Sequence, residues 1–302
     1  MAPSTVIFIV GPTASGKSAL AIDLAVQLNG EIICADSRTI YKGLDVSTAK
    51  PTAAERAKVP HWGLDLVTPD VRFSAADFKA YAQSKIIDIQ GRGKLPIIVG
   101  GTGLYIDGLL FDYQFGPATN PTLRTELEHL TLQQLQQRIA AAKIEMPENN
   151  QNKRYLIRAI EQGGVNKQKS APMPGALVIG LNPLKTILHE RIEKRASAML
   201  QNGALPEAEW LFKTYGHDAP VASAPFFKAY APHFTSGQNL QDCTANDITQ
   251  NKQLAKRQMA WFKRNPRIVW HDSQASVQNF VLNKISVWHC VLIFGTIGTR
   301  RE

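Results

Sequence analysis

The sequence predicts an α/β protein: a P-loop parallel sheet flanked by helices, with a small all-helical insertion domain. Three observations predict it. An apolar strand runs straight into a glycine-rich turn and a helix at residues 6–25. Two further apolar strands, 31–35 and 96–99, each end in a polar or glycine-rich loop. Near Gly116 the texture changes from β-branched runs to segments rich in Gln, Leu and Ala.

Each element has its own signal. Val6 to Val10 is a continuous β-rich run ending at Gly11, the pattern of a strand buried on both faces. Ser18 to Ala25 places apolar residues at helical spacing and predicts a helix ending near Asn29-Gly30. Glu31 to Ala35 reads as a second strand with Asp36-Ser37 at its tip. Phe78 to Ile89 reads as a helix broken by Gly91-Arg92-Gly93. Pro96 to Val99 reads as a third buried strand running into Gly100-Gly101-Thr102-Gly103. Strands alternating with helices imply right-handed crossovers and a parallel sheet. Ligands of such sheets bind beyond the carboxyl ends of the strands, so the three loops should share one cleft. Leu123 to Ala142 and Tyr155 to Glu161 predict the insertion helices, 168–175 a loop, and Ala176 to Leu181 a strand. Leu184 to Leu200 and Asp247 to Arg264 are long basic helical stretches. The expected division is 1–115 with 173–302 as the core, and 116–172 as the insertion.

The 302 residues, 44 % hydrophobic and 20 % charged, are enough to bury a full core and exclude a disordered chain. The formal charge of +9, from 34 Lys and Arg against 25 Asp and Glu, points to a polyanionic partner; a merely basic soluble protein is the alternative. Cys34, Cys243 and Cys290 lie far apart, which suggests neither a disulfide framework nor a zinc site and fits a reducing cytoplasm. The first apolar run is too short for a signal peptide. Ile285 to Ile297 falls short of the roughly 20 residues of a membrane span and reads as a core or interface element, or an irregular tail.

Gly11-Pro12-Thr13-Ala14-Ser15-Gly16-Lys17-Ser18 fits the P-loop spacing. Such a turn wraps phosphate oxygens in backbone N–H groups and adds the partial charge of a helix N-terminus. Lys17 then reaches the terminal phosphate and Ser18 ligates Mg²⁺. The turn does not say which phosphate compound binds. ATP-using enzymes usually close a hydrophobic strand with a Walker-B Asp, whereas here the third strand closes with Gly100-Gly101-Thr102. Asp36 is the nearest strand-end carboxylate, open to three roles: Mg²⁺ ligand, general base or helix cap.

Beyond these features the chain resembles the tRNA dimethylallyltransferase family, the isopentenylpyrophosphate transferases acting on tRNA. The matching stretches are GPTASGKS at 11–18, ADSRTIYKGLDVSTAKPT at 35–52, VPHWGLD at 59–65, FSAADF at 73–78 and PIIVGGTGLY at 96–105. NKRYLIRAIE at 152–161, HERIEKRASAMLQNG at 189–203 and QLAKRQMAWFKR at 253–264 follow in the family's order. The resemblance implies transfer of a dimethylallyl group from dimethylallyl pyrophosphate to the 6-amino group of the adenosine 3′ of the anticodon, in tRNAs reading codons that begin with U. It implies Mg²⁺ as cofactor, the tRNA anticodon stem-loop as partner, no membrane, and a monomer. It casts Asp36 as the base, Thr102 as a hydrogen-bonding group near the reacting centre, and Lys17 and Ser18 as holders of the leaving pyrophosphate. Ser37, Arg38 and Thr39 would sit near the extruded base. Arg124, Arg154 and Arg158 would face RNA from the insertion, as would Gln253, Lys256, Arg257 and Gln258 from the late helix. Arg191 and Arg195, one turn apart, would reach the pyrophosphate or serve only as surface charge. An ATP-binding label read from the P-loop alone would then be chemically wrong.

The chain departs from the family pattern in three places. Thr39 stands where Gln is usual. Tyr155 replaces a basic residue three before Arg158, with Arg154 one step earlier. Pro225 to Ala229 stands in place of an Ile-Gly-Tyr-Lys-Glu element. Two other readings stay open: a small-molecule or nucleoside kinase on the same P-loop, and a non-catalytic RNA-binding relative.

Overall fold

A computed structural model describes residues 5–116, 120–163 and 171–295, with side chains as far as Lys284. The chain begins with β1 (Val6–Val10), α1 (Lys17–Gln27), β2 (Gly30–Cys34), α2 (Ala53–Lys58), β3 (His61–Trp62), α3 (Ala75–Gly91), β4 (Leu95–Gly100) and α4 (Gly103–Leu110). Three helices follow, α5 (Pro121–His129), α6 (Leu132–Ala141) and α7 (Lys153–Glu161). The chain then returns as β5 (Ala176–Leu181), α8 (Lys185–Gln201), α9 (Ala204–Tyr215), a 3-10 turn at Pro220–Ser223, α10 (Pro225–Ser236), α11 (Leu240–Phe262), β6 (Val269–His271) and α12 (Gln274–Gly295).

The six strands form one sheet in the order β3-β2-β4-β1-β5-β6, and every pairing is parallel. Register decides where the site lies. Val10 pairs with both Gly100 and Gly180, and Cys34 with Val99, so β1, β2, β4 and β5 end at one level. Their apolar interiors, with Glu31 of β2 the buried exception, suit a sheet covered on both faces. One face, with Ile7, Ile9, Ile32, Ile97 and Val99, packs on Leu20 and Leu24 of α1 and on Val277 and Val281 of α12. A second cluster gathers Ile40, Tyr41 and Leu44 with Leu211, Phe227 and Tyr230 from α9 and α10. Pro225 to Ala229, which the sequence showed only as a departure, forms the first turns of α10 and buries Phe226 and Phe227.

The sequence missed β3 and β6, both too short to carry a periodic signal at the sheet edges. It also read 123–142 as one helix. The structure breaks it at Leu130-Thr131, because Thr131 accepts from the Gln134 N–H while the Gln134 side chain returns to the Thr131 N–H. The backbone of α12 is helical to Gly295. The side chains of 285–297 and part of the 168–175 loop lie outside the described residues. Among the described residues no helix is long and apolar enough to cross a membrane.

The chain divides into two units, 1–106 with 174–302, and Asp107–Met173. The division thus begins earlier than the 116 expected from composition. The reason is local: the Met173 N–H donates to the Leu110 carbonyl (2.7 Å), the Tyr113 N–H to Gly108 (3.0 Å), and Phe111, Tyr113 and Phe115 form a ladder of ring contacts. Taken by itself, the second unit packs α5, α6 and α7 around Leu127, Leu135, Ile139, Leu156 and Ile157.

One polar node ties strands and helix together in the first unit. Glu31, the second residue of β2 and 1 % exposed, accepts from Trp62 Nε1 (2.8 Å), Arg92 (2.5 and 2.9 Å) and Lys94 (2.8 Å). The Arg92 hydrogen bonds hold its carboxyl down at about 2, with burial opposing and Lys94 and Trp62 assisting. A depressed carboxyl stabilises the fold above its ordinary 4.5 and loses that contribution as pH falls towards 2. Allowing for solvent around Arg92, Glu31→Gln should cost about 2 kcal/mol at pH 7. In urea titrations the gap between wild type and variant should close as pH drops from 4.5 to 2; a gap that persists at pH 2 would refute the assignment.

Candidate active site

The turn after β1 and the ends of β2 and β4 open into a cavity of about 610 Å³ within the first unit. Its floor is the turn 13–18, one wall is Asp36 to Thr39, another is Gly100 to Thr102, and Arg191, Arg195, Arg257 and Gln258 come from α8 and α11. The backbone makes this convergence possible. Gly11 adopts φ +146°, and a Cβ there would lie 2.3 Å from the Leu181 carbonyl oxygen. A Cβ on Gly100 would lie 2.0 Å from the Ala35 oxygen, so only glycine lets β4 end this close to β2.

The turn is held from outside. Lys17 Nζ, buried, donates to the Pro12 carbonyl (2.6 Å) and Ser15 Oγ (3.4 Å). Arg191 donates to the Ser15 carbonyl (2.9 Å), Gln274 of α12 to the Gly16 carbonyl (3.0 Å), and Arg195 to Thr13 Oγ1 (3.0 Å). Gln258 Oε1 accepts the Thr13 N–H (2.7 Å), while its Nε2 donates to the Gly101 carbonyl (3.1 Å). Burial lowers the Lys17 ammonium to about 8, with Asp36 raising it and Arg195 lowering it further. Burial also lowers Arg195, against the pull of Asp36 and Asp247. Two cations and two carboxylates therefore act on one another around a poorly hydrated corner.

Asp36 is half-buried two residues beyond β2. Its Oδ1 accepts the Arg38 N–H (2.8 Å), and Oδ2 has no hydrogen-bond partner among the described residues. Thr102 Oγ1 accepts the Ser37 N–H (3.0 Å), and the Thr102 N–H donates to Ala35 (3.3 Å), which stitches the two loops together. Arg38 reaches the Pro220 carbonyl (3.3 Å), and buried Thr39 turns its hydroxyl to the Asp36 carbonyl (3.5 Å). Cys34 also borders the cavity, but burial and then Asp36 push its thiol up to about 12, so it stays protonated.

The structure thus gathers Thr13 to Ser18, Asp36, Ser37, Arg38, Thr39, Thr102, Arg191, Arg195, Arg257 and Gln258 around one space. Gln253 and Lys256 stand exposed on α11 outside its wall. In the second unit Arg124 and Arg158 both point to Glu161, whose side chain is 1 % exposed (3.2 and 3.3 Å), and Arg154 is exposed. Sequence reasoning missed Glu207 of α9. Its carboxylate accepts the N–H groups of Asp45, Val46 and Ser47 (3.0, 2.8 and 2.8 Å) and the Ser47 hydroxyl. That clamp places Ser47, Thr48 and Ala49 in the cavity wall. With 160 residues between clamp and loop, no local pattern announces it.

The sequence pattern of the IPP transferase family matches residues 39–265. A tRNA dimethylallyltransferase of Bacillus subtilis is 37 % identical over 283 residues, covering 88 % of this chain and 90 % of the relative. One from Streptococcus mutans is 39 % identical over 289 residues, covering 93 % and 97 %. The crystal structure of a full-length tRNA isopentenylpyrophosphate transferase from Bacillus halodurans matches with a TM-score of 0.73 at 31 % identity, over 95 % of this chain and 99 % of that one. A eukaryotic dimethylallyltransferase acting on tRNA matches with a TM-score of 0.77 at 26 % identity, over 94 % and 79 %.

Because Gln258 bridges the turn 13–18 to the β4 loop, Gln258→Ala should free both. Losing one or two such bonds costs about 1–2 kcal/mol, or roughly tenfold in affinity for an anion on the turn. Calorimetric titration with inorganic pyrophosphate checks this, and an unchanged affinity would remove Gln258 from the support of the turn.

Proposed function

Because the chain belongs to the IPP transferase family, we infer that it is a tRNA dimethylallyltransferase. It moves a dimethylallyl group from dimethylallyl pyrophosphate to the 6-amino group of the adenosine that follows the anticodon, in tRNAs whose codons begin with U. The observation that carries the reading is that the turn 13–18, the strand-end Asp36 and Thr102 line one cavity.

The target adenosine is stacked in the anticodon loop, so it must be extruded to reach a cavity of this kind. Asp36, Ser37, Arg38 and Thr39 line the side where such a base would enter, and Arg257 offers a guanidinium for stacking or phosphate contact. A purine amine is a weak nucleophile because its lone pair is conjugated with the ring. Asp36 Oδ2 is the group suited to take its proton as nitrogen attacks the first carbon of the donor. Thr102 Oγ1 would orient the amine. One nitrogen–carbon bond forms, one carbon–oxygen bond breaks, and the electron pair leaves with pyrophosphate.

That leaving group gains charge along the reaction. Lys17, the amides of 13–18 and Arg195, which line the cavity, would take it up, with Arg191 at the rim. The exposed hydroxyl of Ser18 stands at the first turn of α1 on the cavity floor and fits one position of a Mg²⁺ ion. Among the described residues no three His, Cys, Asp or Glu side chains converge as a metal cage. The other ligands would be diphosphate oxygens and water, the usual habit of Mg²⁺. Bound there, the ion supplies charge neutralisation of the leaving diphosphate. The exposed cations Lys256, Arg257 and Arg154 are proposed to meet tRNA phosphates.

Incubating the protein with labelled dimethylallyl pyrophosphate and tRNA should give isopentenyladenosine on nucleoside mass analysis, with no ATP required. Asp36→Ala should lower turnover by about 100-fold or more while leaving tRNA affinity within about twofold. Full turnover by that variant would remove Asp36 from the base role, and ATP-dependent phosphorylation of a small acceptor in place of prenyl transfer would overturn the assignment.

A further inference from the structure

Asp247 lies on α11, beside the phosphate-binding turn and outside the roles assigned above. It is 1 % exposed. Its Oδ1 accepts from Asn251 Nδ2 (2.8 Å), and its Oδ2 is buried without a hydrogen-bond partner among the described residues. A cavity of about 10 Å³, the scale of one water, separates it from the turn; Thr13, Arg195, Asp247 and Asn251 form its polar lining. Arg195 already spends one donor on Thr13 Oγ1.

We propose that Asp247 is a proton-linked counter-charge that tunes how tightly the turn holds its diphosphate, taking up a proton when the diphosphate binds and returning it on release. The inference rests on the reading of the cavity as a diphosphate site. The helices α8 and α10 pack against α11. Arg195 faces it from α8 and the Tyr230 phenol from α10, Thr13 faces it from the turn, and Asn251 lies on its own helix. Burial pushes its carboxyl up to about 6, with Arg195 and Asn251 pulling the other way. Near neutral pH it is therefore ionised by a narrow margin.

A diphosphate on the turn adds several negative charges beside the same arginine. Two anions sharing one guanidinium in a dry corner raise each other's proton affinity. By linkage the converse holds: an ionised Asp247 weakens diphosphate binding, and a protonated one relieves the repulsion. A residue that only propped up the turn would act oppositely, since its loss would loosen the site.

The test is calorimetric titration of Mg²⁺ and inorganic pyrophosphate into the full chain without tRNA, from pH 5 to 8, in buffers of different ionisation heat. Asp247→Asn keeps the shape and the acceptor for Asn251. It should bind pyrophosphate about tenfold tighter than wild type at pH 7.5, the equivalent of one pKa unit gained on binding. The two proteins should converge near pH 5, and the wild type should take up more protons on binding. Binding by the variant equal to or weaker than wild type at pH 7.5, or equal proton uptake, would overturn the proposal. Asn251→Ala provides a second arm, because removing a donor that favours the carboxylate should move the wild-type midpoint to higher pH; an unmoved midpoint counts against the linkage. Prenyl transfer by the wild type, assayed separately, bears on the functional reading alone.

Discussion

Everything in the cavity depends on bringing four parallel strand ends to one level and letting two loops approach closer than side chains allow. A diphosphate, the proposed ligand, would have to be taken from water by groups already aimed at it, because flexible donors would lose in ordering what they gain in contact. The paired register of Val10 with Gly100 and Gly180 supplies the level. Gly11 and Gly100 supply the approach, one against the Leu181 carbonyl and one against that of Ala35. The charged groups then act from a frame that has little freedom left to lose.

The buried charges of the first unit fall into two kinds. Glu31 receives donors from Trp62, Arg92 and Lys94, and Lys50 donates to the Tyr41 carbonyl, Asp45 and Asp65. These side chains have satisfied their hydrogen bonds and tie strand to strand or brace a loop. Around the turn the accounts are left open. Lys17 leans on carbonyl and hydroxyl oxygens of its own loop, Arg195 on one threonine, and Asp247 on one asparagine. A buried charge short of partners costs stability, and such sites tend to mark function. The incomplete pairing is what leaves room for an anion.

Much of this was legible in the chain. The first, second and fourth strands, α1 and the turn announce themselves through apolar runs ending in glycine, because local sequence alone sets those features. Asp36 and Thr102 were legible as strand-end residues once a parallel sheet was expected. What escaped depends on contacts across the chain. Glu207 clamps a loop 160 residues away, and Gln274 reaches the Gly16 carbonyl from a helix that the motifs do not cover. Gln258 shows a different limit: the family resemblance implies that it faces RNA, and nothing in the sequence tells that its amide is engaged at both ends by the turn and the β4 loop. Periodicity gives the helix face but not the partner.

The end of β4 explains how a P-loop fold can serve a reaction that spares nucleotides. A carboxylate there would hold a metal and a hydrolytic water beside the terminal phosphate. Gly100-Gly101-Thr102 offers only backbone and one hydroxyl, and that hydroxyl is bound to the Ser37 amide beside Asp36. The acidic group thus sits just beyond β2, the neighbour of β4 on the side away from β1 and its turn. In the proposed reaction the bond to be broken joins carbon to oxygen, so the base belongs beside the incoming amine and the phosphates need only be held. On that reading, a carboxylate just beyond β2 in place of one closing β4 suits alkyl transfer rather than hydrolysis.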